Sequence, residues 1–183
     1  IGDPLYLQAR DPTLVACLVN DQTDVLARYE PLLEDYDAFR RACDRPLPRH
    51  VRVNTIKTTV DRAVDALAAE GIQAKRTPYH ESLLEVPTDS PGTTWPYFLG
   101  WLHGQEAVST IPPTVLDVAP GDRVFDCCAA PGSKTGQLAA AMGDRGRIVA
   151  NDANLGRLSA LRSNMERLGV TNTVVTNQDA RNF

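Results

Sequence analysis

The sequence of 183 residues lacks long apolar runs and has little lysine and few aromatic side chains. No window approaches the ~18 consecutive apolar residues of a membrane-spanning helix, so we expect no integral membrane segment. The four cysteines form no C-x-x-C pairs, which argues against a structural zinc site and against a disulfide-dense secreted domain. A hydrophobic content of 43% and a charged content of 23% are ordinary for a globular protein. With no secretory leader, the sequence predicts a cytoplasmic protein with reduced thiols and no metal.

Charge is unevenly distributed along the chain. Lysine and arginine total 19 against 23 aspartate and glutamate residues, for a net charge of −4. The stretch 40–57 nevertheless contains one acidic residue, Asp44, among its basic residues Arg40, Arg41, Arg45, Arg49, Arg52 and Lys57. Such a stretch fits either an ordinary solvated face or a surface that contacts RNA, and charge alone leaves both interpretations open.

The N-terminal half has the pattern of a small α+β domain. Apolar spacing predicts helices at 13–19, 25–33 and 36–43. Alternation in 50–57 predicts a half-buried strand that carries Arg52 and Asn54 on its other face. Thr58 or Thr59 is expected to cap a following helix that Gly71 ends. With further short strands predicted at 72–76 and 82–86, the order resembles an RNA-recognition-like sandwich without its base-stacking aromatics.

The second half alternates strands with helices. After a Pro/Gly/Thr-rich connection at 88–96, a helix at 106–116 is expected to bend at Pro112 and Pro113. Buried strands are predicted at 123–128, 147–151 and 173–177, with helices at 133–142 and 155–168. The last helix places four apolar residues inward, namely Leu158, Leu161, Met165 and Leu168. Right-handed crossovers then build a parallel, doubly wound sheet, and the domains are predicted at 1–95 and 96–183.

The loop that follows the first strand of this sheet is the most informative segment. It has the sequence D-C-C-A-A-P-G-S-K-T over 126–135 and lies at the carboxyl end of a strand, where open α/β sheets bind ligands. Ala129, Ala130 and Gly132 let the backbone approach a ligand closely. Cys128 and Ser133 occupy the two glycine positions of a phosphate loop, and no G-x-G-x-x-G is present, which disfavours an ATP-binding protein.

Two acidic residues follow the next two strands. Asp152 comes ~20 residues after the loop, the position that accepts hydrogen bonds from ribose hydroxyls. Asp179 follows the third strand and is placed to reach an adenine edge. An aspartate after a strand is ordinarily a helix cap or a turn former. The loop after the first strand and these two aspartates after the second and third are in register, however, and together they indicate an adenosyl-type ligand.

The segment 128–135 resembles the S-adenosylmethionine loop of the NOP/Sun family of RNA cytosine-5 methyltransferases. Other similar segments are Gly104-Gln105-Glu106 with Ser109, Pro120-Gly121-Asp122, Asn151-Asp152, the helix 157–169 and the stretch 51–57. The resemblance covers about 25–183. Ser133 departs from the glycine that the family often has there, and serine is small enough to keep the loop intact.

The resemblance implies an α/β fold: the N-terminal half of a Rossmann-like class I methyltransferase sheet, preceded by the small RNA-recognition-like domain. It implies that S-adenosylmethionine is bound by Cys128, Ala129, Ala130, Pro131, Gly132, Ser133, Lys134, Asp152, Arg157 and Asp179. For Arg157 a solvated helix charge is an equal alternative. An RNA contact is implied for Arg49, Arg52, Asn54 and Lys57, against the alternative of a simple strand face.

The implied activity is RNA cytosine-5 methylation of transfer or ribosomal RNA, by a protein expected to be a monomer. Enzymes of this family add a cysteine thiolate to cytosine C6, so that C5 can attack the methyl donor. The T-C and D-A-P-C segments that carry the family's cysteines are not among these residues. The nucleophile is therefore expected downstream of Phe183, and Cys127 or Cys128 is not expected to replace it. The alternative is a non-catalytic RNA-binding module with a retained cofactor pocket.

Overall fold

The computed structural model of the protein describes residues 24–88 and 90–183, and the helix predicted at 13–19 lies outside them. The backbone divides into two compact units, Ile1–Leu47 and Pro48–Phe183. The first contains a 3₁₀ helix at Ala27–Leu32 and helix α1 at Tyr36–Cys43. Helix α1 confirms the prediction, whereas the earlier segment winds as a 3₁₀ helix that contains Pro31, which has no N–H for an α-helical hydrogen bond. This division does not test the domain boundary predicted after residue 95, which stays a prediction.

The second unit begins with an antiparallel sheet. Its strands are β1 at His50–Val53, β2 at Lys75–Arg76, β3 at Leu83–Glu85 and β4 at Leu102–Gly104, in the order β2-β3-β1-β4. Helix α2 at Val60–Ala69 begins at Thr59, whose side chain accepts a hydrogen bond from the Arg62 N–H, as predicted. The core beneath the sheet consists of Val51, Val53, Ala63, Leu67, Leu84, Val86 and Leu102.

Strand β1 is buried on both faces, so the prediction of a half-buried strand is wrong. Arg52 and Asn54 are each 1% exposed. The Arg52 Nε–H donates to Gln105 Oε1 at 2.8 Å, and the Asn54 amide reaches the Leu168 carbonyl at 2.7 Å. Polar residues on the second face were interpreted as solvent-facing, but they pack inside the same unit. Strand β4 was not predicted, because three residues are too few for an alternation pattern.

The connection to the second sheet is built from short helices. A 3₁₀ helix at Pro91–Thr93 precedes α3 at Trp95–Phe98, and a 3₁₀ helix at Ala107–Thr110 runs directly into α4 at Ile111–Leu116. The predicted helix at 106–116 is therefore split at Thr110, just before its two prolines. Asp117 ends α4 with a positive φ of 50°.

The second sheet is parallel, as predicted, with order β5-β6-β7. Strands β5 at Arg123–Asp126, β6 at Arg147–Asn151 and β7 at Thr173–Thr176 alternate with helices α5 at Ser133–Ala141 and α6 at Leu155–Leu168. Helix α6 buries Leu158, Leu161, Met165 and Leu168, which confirms the predicted inward face. These side chains pack on Ala129, Ala130 and Ala150, so the core of this sheet lies directly under the loop 127–132.

Strand β5 is more exposed than predicted. Within the described residues it pairs only with β6, and Phe125 is 44% exposed. Cys127, which directly follows Asp126 at the end of the strand, is exposed as well. The apolar pattern of 123–128 is typical of a strand that is buried on both faces, but the described residues leave part of β5 exposed to solvent.

Candidate functional site

A turn of small residues joins β5 to α5 at the carboxyl edge of the parallel sheet. The Ala129 N–H donates to the Asn151 carbonyl at 2.8 Å, which continues the pairing of β5 with β6 into the turn. Gly132 has a φ of +106° and caps α5. A Cβ there would lie 2.8 Å from Met165 Cε and 2.9 Å from Leu161 Cδ1. Glycine therefore permits both the left-handed backbone and the close approach of α5 to α6.

Asp152, directly after β6, and Arg157, in the first turn of α6, hold this turn. Asp152 is 4% exposed, and its Oδ2 accepts from the Ala130 N–H at 3.2 Å while Oδ1 accepts from the Asn154 N–H at 2.9 Å. Arg157 Nη1 lies 3.2 Å from Asp152 Oδ2, and its Nη2 donates to the Ala130 carbonyl. Since a carboxylate offers about four acceptor positions, Asp152 keeps capacity for one further donor. Arg157 is thus paired at the turn.

Asn151 connects the ends of the three strands, a role that the sequence analysis missed. The residue is fully buried. Its amide donates to the Cys127 carbonyl at 3.3 Å and to the Gln178 carbonyl at 2.7 Å, and its Oδ1 accepts from the Gln178 N–H and from Thr176 Oγ1, each at 3.0 Å. No periodic signal marks this asparagine, because an amide at the end of a buried strand has the same sequence appearance whether or not it bridges loops.

Asp179 lies at the same edge but is held differently. Its carboxylate accepts from the Arg181 N–H at 3.0 Å and pairs with Arg181 Nη2 at 2.5 Å. These hydrogen bonds lower the pKa of Asp179 below its usual value. The structure therefore joins the turn, Asp152 and Arg157 by direct hydrogen bonds, whereas the carboxylate of Asp179 is held by Arg181.

The two adjacent thiols of the turn, Cys127 and Cys128, are exposed, and the Cys128 thiol is not activated. Hydrogen bonding to the Cys127 thiol, the charge of that group and the nearby carboxylates of Asp152 and Asp126 raise the pKa of Cys128. A raised pKa leaves less thiolate, the nucleophilic form. Thr135 Oγ1 in turn donates to Asp126 Oδ2 at 2.6 Å and so fixes the first turn of α5 to the end of β5.

The residues predicted to contact RNA have mostly structural partners. Burial lowers the pKa of Arg52 to about 10, and a macromolecule cannot reach its side chain or that of Asn54. Lys57 is exposed, but its Nζ donates to the Leu99 carbonyl at 3.1 Å and to the Arg167 carbonyl at 2.7 Å. Asn54 and Lys57 thereby satisfy carbonyls at the C-terminus of α6, which have no partner within the helix. Arg49 is also exposed.

The described residues contain no group of three or more His, Cys, Asp or Glu side chains that could hold a metal ion. None of their helices has the length and hydropathy needed to span a membrane. A parallel sheet with a turn of small residues clamped by an aspartate at its carboxyl edge, preceded by an antiparallel sheet, is the architecture of a Rossmann-like methyltransferase with an appended α+β domain.

Comparison with known proteins agrees with this class. Residues 113–183 match the family model described as 16S rRNA methyltransferase RsmB/F, and 27–91 match the ferredoxin-like domain of RsmF/B-like methyltransferases. The chain is 38% identical over 155 residues to ribosomal RNA small subunit methyltransferase F of Klebsiella pneumoniae, covering 81% of this chain and 32% of that protein. A methyltransferase homologue from Pyrococcus horikoshii matches with a TM-score of 0.79 and 34% identity, over 93% of this chain and 57% of that one.

The chain therefore carries domains of the RsmB/F (NOP/Sun) family of RNA methyltransferases, which confirms the resemblance and the predicted fold class. A further structure, NSun6 from Pyrococcus horikoshii with SFG, has a TM-score of 0.81 at 18% identity over 87% of this chain and 66% of that one, and supports the fold alone. Methyltransferases of the family use S-adenosylmethionine, as expected. The chain spans about a third (32%) of the length of the curated relatives that it matches.

Proposed function

We propose that this chain forms the cofactor-binding part of an S-adenosylmethionine-dependent RNA cytosine-5 methyltransferase that acts on small-subunit ribosomal RNA. The observation that carries the proposal is the turn of small residues clamped by Asp152 and Arg157 at the carboxyl edge of the parallel sheet. We propose ribosomal RNA rather than transfer RNA as the substrate because the curated relatives are ribosomal RNA methyltransferases by name. Acting on such a substrate, the protein would work in the cytoplasm, and it would need no metal.

The residues present fit the methyl donor. Ala129, Ala130 and Gly132 leave the turn without bulky side chains, so that its backbone can approach the methionine and ribose portions. Asp152 has acceptor capacity for a ribose hydroxyl, and Asp179 at the end of β7 would lie beside the adenine. Cys128, Pro131, Ser133 and Lys134 complete the predicted binding segment. When bound, the donor supplies an electrophilic methyl group.

The proposed chemistry needs a thiolate that these described residues do not offer. A cysteine thiolate forms a bond to cytosine C6, which makes C5 nucleophilic toward the methyl group. Loss of the C5 proton to a base then re-forms the C5–C6 double bond and expels the thiolate. We assign this role to neither Cys127 nor Cys128. Neighbouring groups raise the pKa of the Cys128 thiol, which leaves less of its thiolate. The chain by itself would bind the donor without transferring the methyl group.

Calorimetric titration of S-adenosylmethionine into the full-length protein that carries this sequence tests the site. We expect binding that ATP does not compete for, and we expect Asp152→Ala to abolish it, because the turn loses its acceptor at the Ala130 N–H. Asp61→Ala is the matched control, since Asp61 is an exposed aspartate of α2 whose carboxylate pairs with Arg76. Preference for ATP, or unchanged affinity in Asp152→Ala, would contradict the proposal.

Methyl transfer tests the substrate and the nucleophile. Labelled donor should mark cytosine C5 of a small-subunit ribosomal RNA transcript in preference to transfer RNA. A Cys127→Ser variant should retain that activity, since Cys127 lies outside the predicted binding segment. Donor binding without transfer to any RNA would favour the non-catalytic module instead. Neutralising the exposed Arg49 should weaken RNA binding about equally for all sequences, with a shallower salt dependence, as expected for a phosphate contact.

A further inference from the structure

His103 links the antiparallel sheet to the turn of the cofactor site. It lies on β4 and is 4% exposed. Its Nε2 is 3.1 Å from Ser133 Oγ, on the first residue of α5, and its Nδ1 is 3.1 Å from Arg167 Nη2, near the end of α6. One buried imidazole therefore joins three elements of the same unit. The sequence analysis gave no signal for it, because β4 itself was not predicted.

The surroundings of His103 determine where its proton lies. A guanidinium group only donates hydrogen bonds, so the Nδ1 that faces Arg167 must accept. Burial, followed by the nearby charges of Arg52 and Arg167, lowers the pKa of His103 to about 3, and the ring is neutral near pH 7. The single ring proton then lies on Nε2, and Nε2–H donates to Ser133 Oγ.

Arg167 is a rigid anchor for this contact. Its Nη1 donates to the Tyr97 carbonyl at 2.6 Å and to the Leu102 carbonyl at 2.8 Å, and its guanidinium carbon lies 4.1 Å from the centre of the Tyr97 ring. An arginine fixed by two backbone acceptors and an aromatic face holds its remaining donors in one direction. Arg167 therefore fixes the orientation of the His103 ring through its contact with Nδ1.

Arg167 is also connected to the turn through Asn164. Asn164 Oδ1 accepts from Arg167 Nη2 at 3.5 Å, and the Asn164 amide donates to the Pro131 carbonyl at 2.9 Å. The two connections from Arg167, through His103 and through Asn164, therefore end on the residues immediately after and before Gly132, whose backbone is left-handed at a φ of +106°.

We propose that His103 is a positioning residue of the cofactor site, which holds Ser133 and thereby keeps the turn 128–133 in its binding conformation. The inference rests on the proposed function. It depends on serine at position 133, since a glycine there has no hydroxyl to accept from His103. If the turn adopts its binding conformation only part of the time, the apparent affinity for the donor falls in proportion to the fraction of molecules in that conformation. Breaking this contact should therefore weaken donor binding without removing any group that touches the donor.

Two conservative variants separate the two contacts of the ring. In His103→Gln the side-chain amide extends to the position of Nε2 and keeps a donor for Ser133. In His103→Asn the shorter amide extends only to the position of Nδ1, which keeps an acceptor for Arg167 and loses the contact with Ser133. Because asparagine is one methylene shorter than glutamine, the loss of packing is separated from the loss of the contact by repeating His103→Asn in a protein that has no hydroxyl at position 133.

The experiment measures the affinity for S-adenosylmethionine calorimetrically in the full-length protein. We expect about five- to tenfold weaker binding for His103→Asn, the factor that corresponds to the net contribution of one hydrogen bond, and a change within about twofold for His103→Gln. In a Ser133→Gly background, His103→Asn should cause no further loss. Equal affinities for all variants, or equal losses in both backgrounds, would overturn the inference. Failure of the unaltered protein to bind the donor would instead contradict the proposed function.

Discussion

The buried imidazole of His103 predicts that the unfolding free energy depends on pH. Burial and the charges of Arg52 and Arg167 lower the pKa of His103 to about 3, against 6.5 for a histidine in the unfolded chain. Between these values the unfolded state binds a proton that the folded state does not. The stabilisation is therefore fully present above about pH 6.5 and is lost progressively as the pH falls toward the folded-state pKa.

The magnitude follows from linkage. Between about pH 7.5 and pH 5.5 the folded ring stays neutral, while the unfolded ring goes from about one-tenth to about nine-tenths protonated. Integrating over this interval gives a loss of about 1.4 kcal/mol in unfolding free energy from this residue. The figure is insensitive to the folded-state value, because the folded state scarcely titrates in that range.

Urea unfolding at the two pH values, followed by fluorescence of Trp95 and Trp101, measures this loss. Both tryptophans lie in the unit that contains His103. His103→Gln is the reference, since it keeps the donor to Ser133 but cannot titrate, and the other histidines remain in both proteins. Subtracting the two pH dependences isolates the residue. A difference below about 0.3 kcal/mol would show that His103 is not held neutral by the fold.

Three substitutions test the framework of the site. Gly132→Ala should lower the unfolding free energy by about 2–3 kcal/mol, from the left-handed backbone and the collision with α6, and urea unfolding indistinguishable from the unaltered protein would refute the packing described for the turn. Asn54→Ala should cost about 2–3 kcal/mol, because the Gly100 and Leu168 carbonyls lose their donor; a shift in thermal midpoint matching that of an exposed-site alanine would contradict this. Asp144→Ala should lower the unfolding free energy in urea by about 1–2 kcal/mol, because the Asp144 carboxylate accepts hydrogen bonds from the backbone that follows α6 and because Asp144 itself has a positive φ of 55°. Asp144→Asn should change it little. Equal effects of the two Asp144 changes would argue against a side-chain acceptor.

Much of the parallel half was predictable from sequence. The bounds of α6 and its four buried side chains follow from a strong periodicity of 3.6, and the loop 128–135 follows from the strand-to-helix order combined with small residues. Asp152 was placed correctly beside the turn, because the carboxyl ends of adjacent parallel strands meet at one edge. Its interaction with the Ala130 N–H was not predicted, since a hydrogen bond across 22 residues leaves no local pattern.

The errors have a common physical origin. Arg52 and Asn54 alternate with valines in the same way as solvent-facing residues, and only the packing of helices on the second face of β1 buries them. Burial likewise keeps the His103 ring neutral by lowering its pKa, and two arginines that are 51 and 64 residues away in the chain add to this effect.

The sequence by itself determined the order of elements in the parallel half and the ligand loop at the edge of its sheet, because periodicity and turn chemistry act between near neighbours. Only the tertiary structure decided which polar residues face solvent and which hold the turn. Asn54, His103 and Arg167 acquire their roles from acceptors and donors contributed by distant segments. Burial gives these contacts their strength, because a polar group removed from water must find a partner inside the protein.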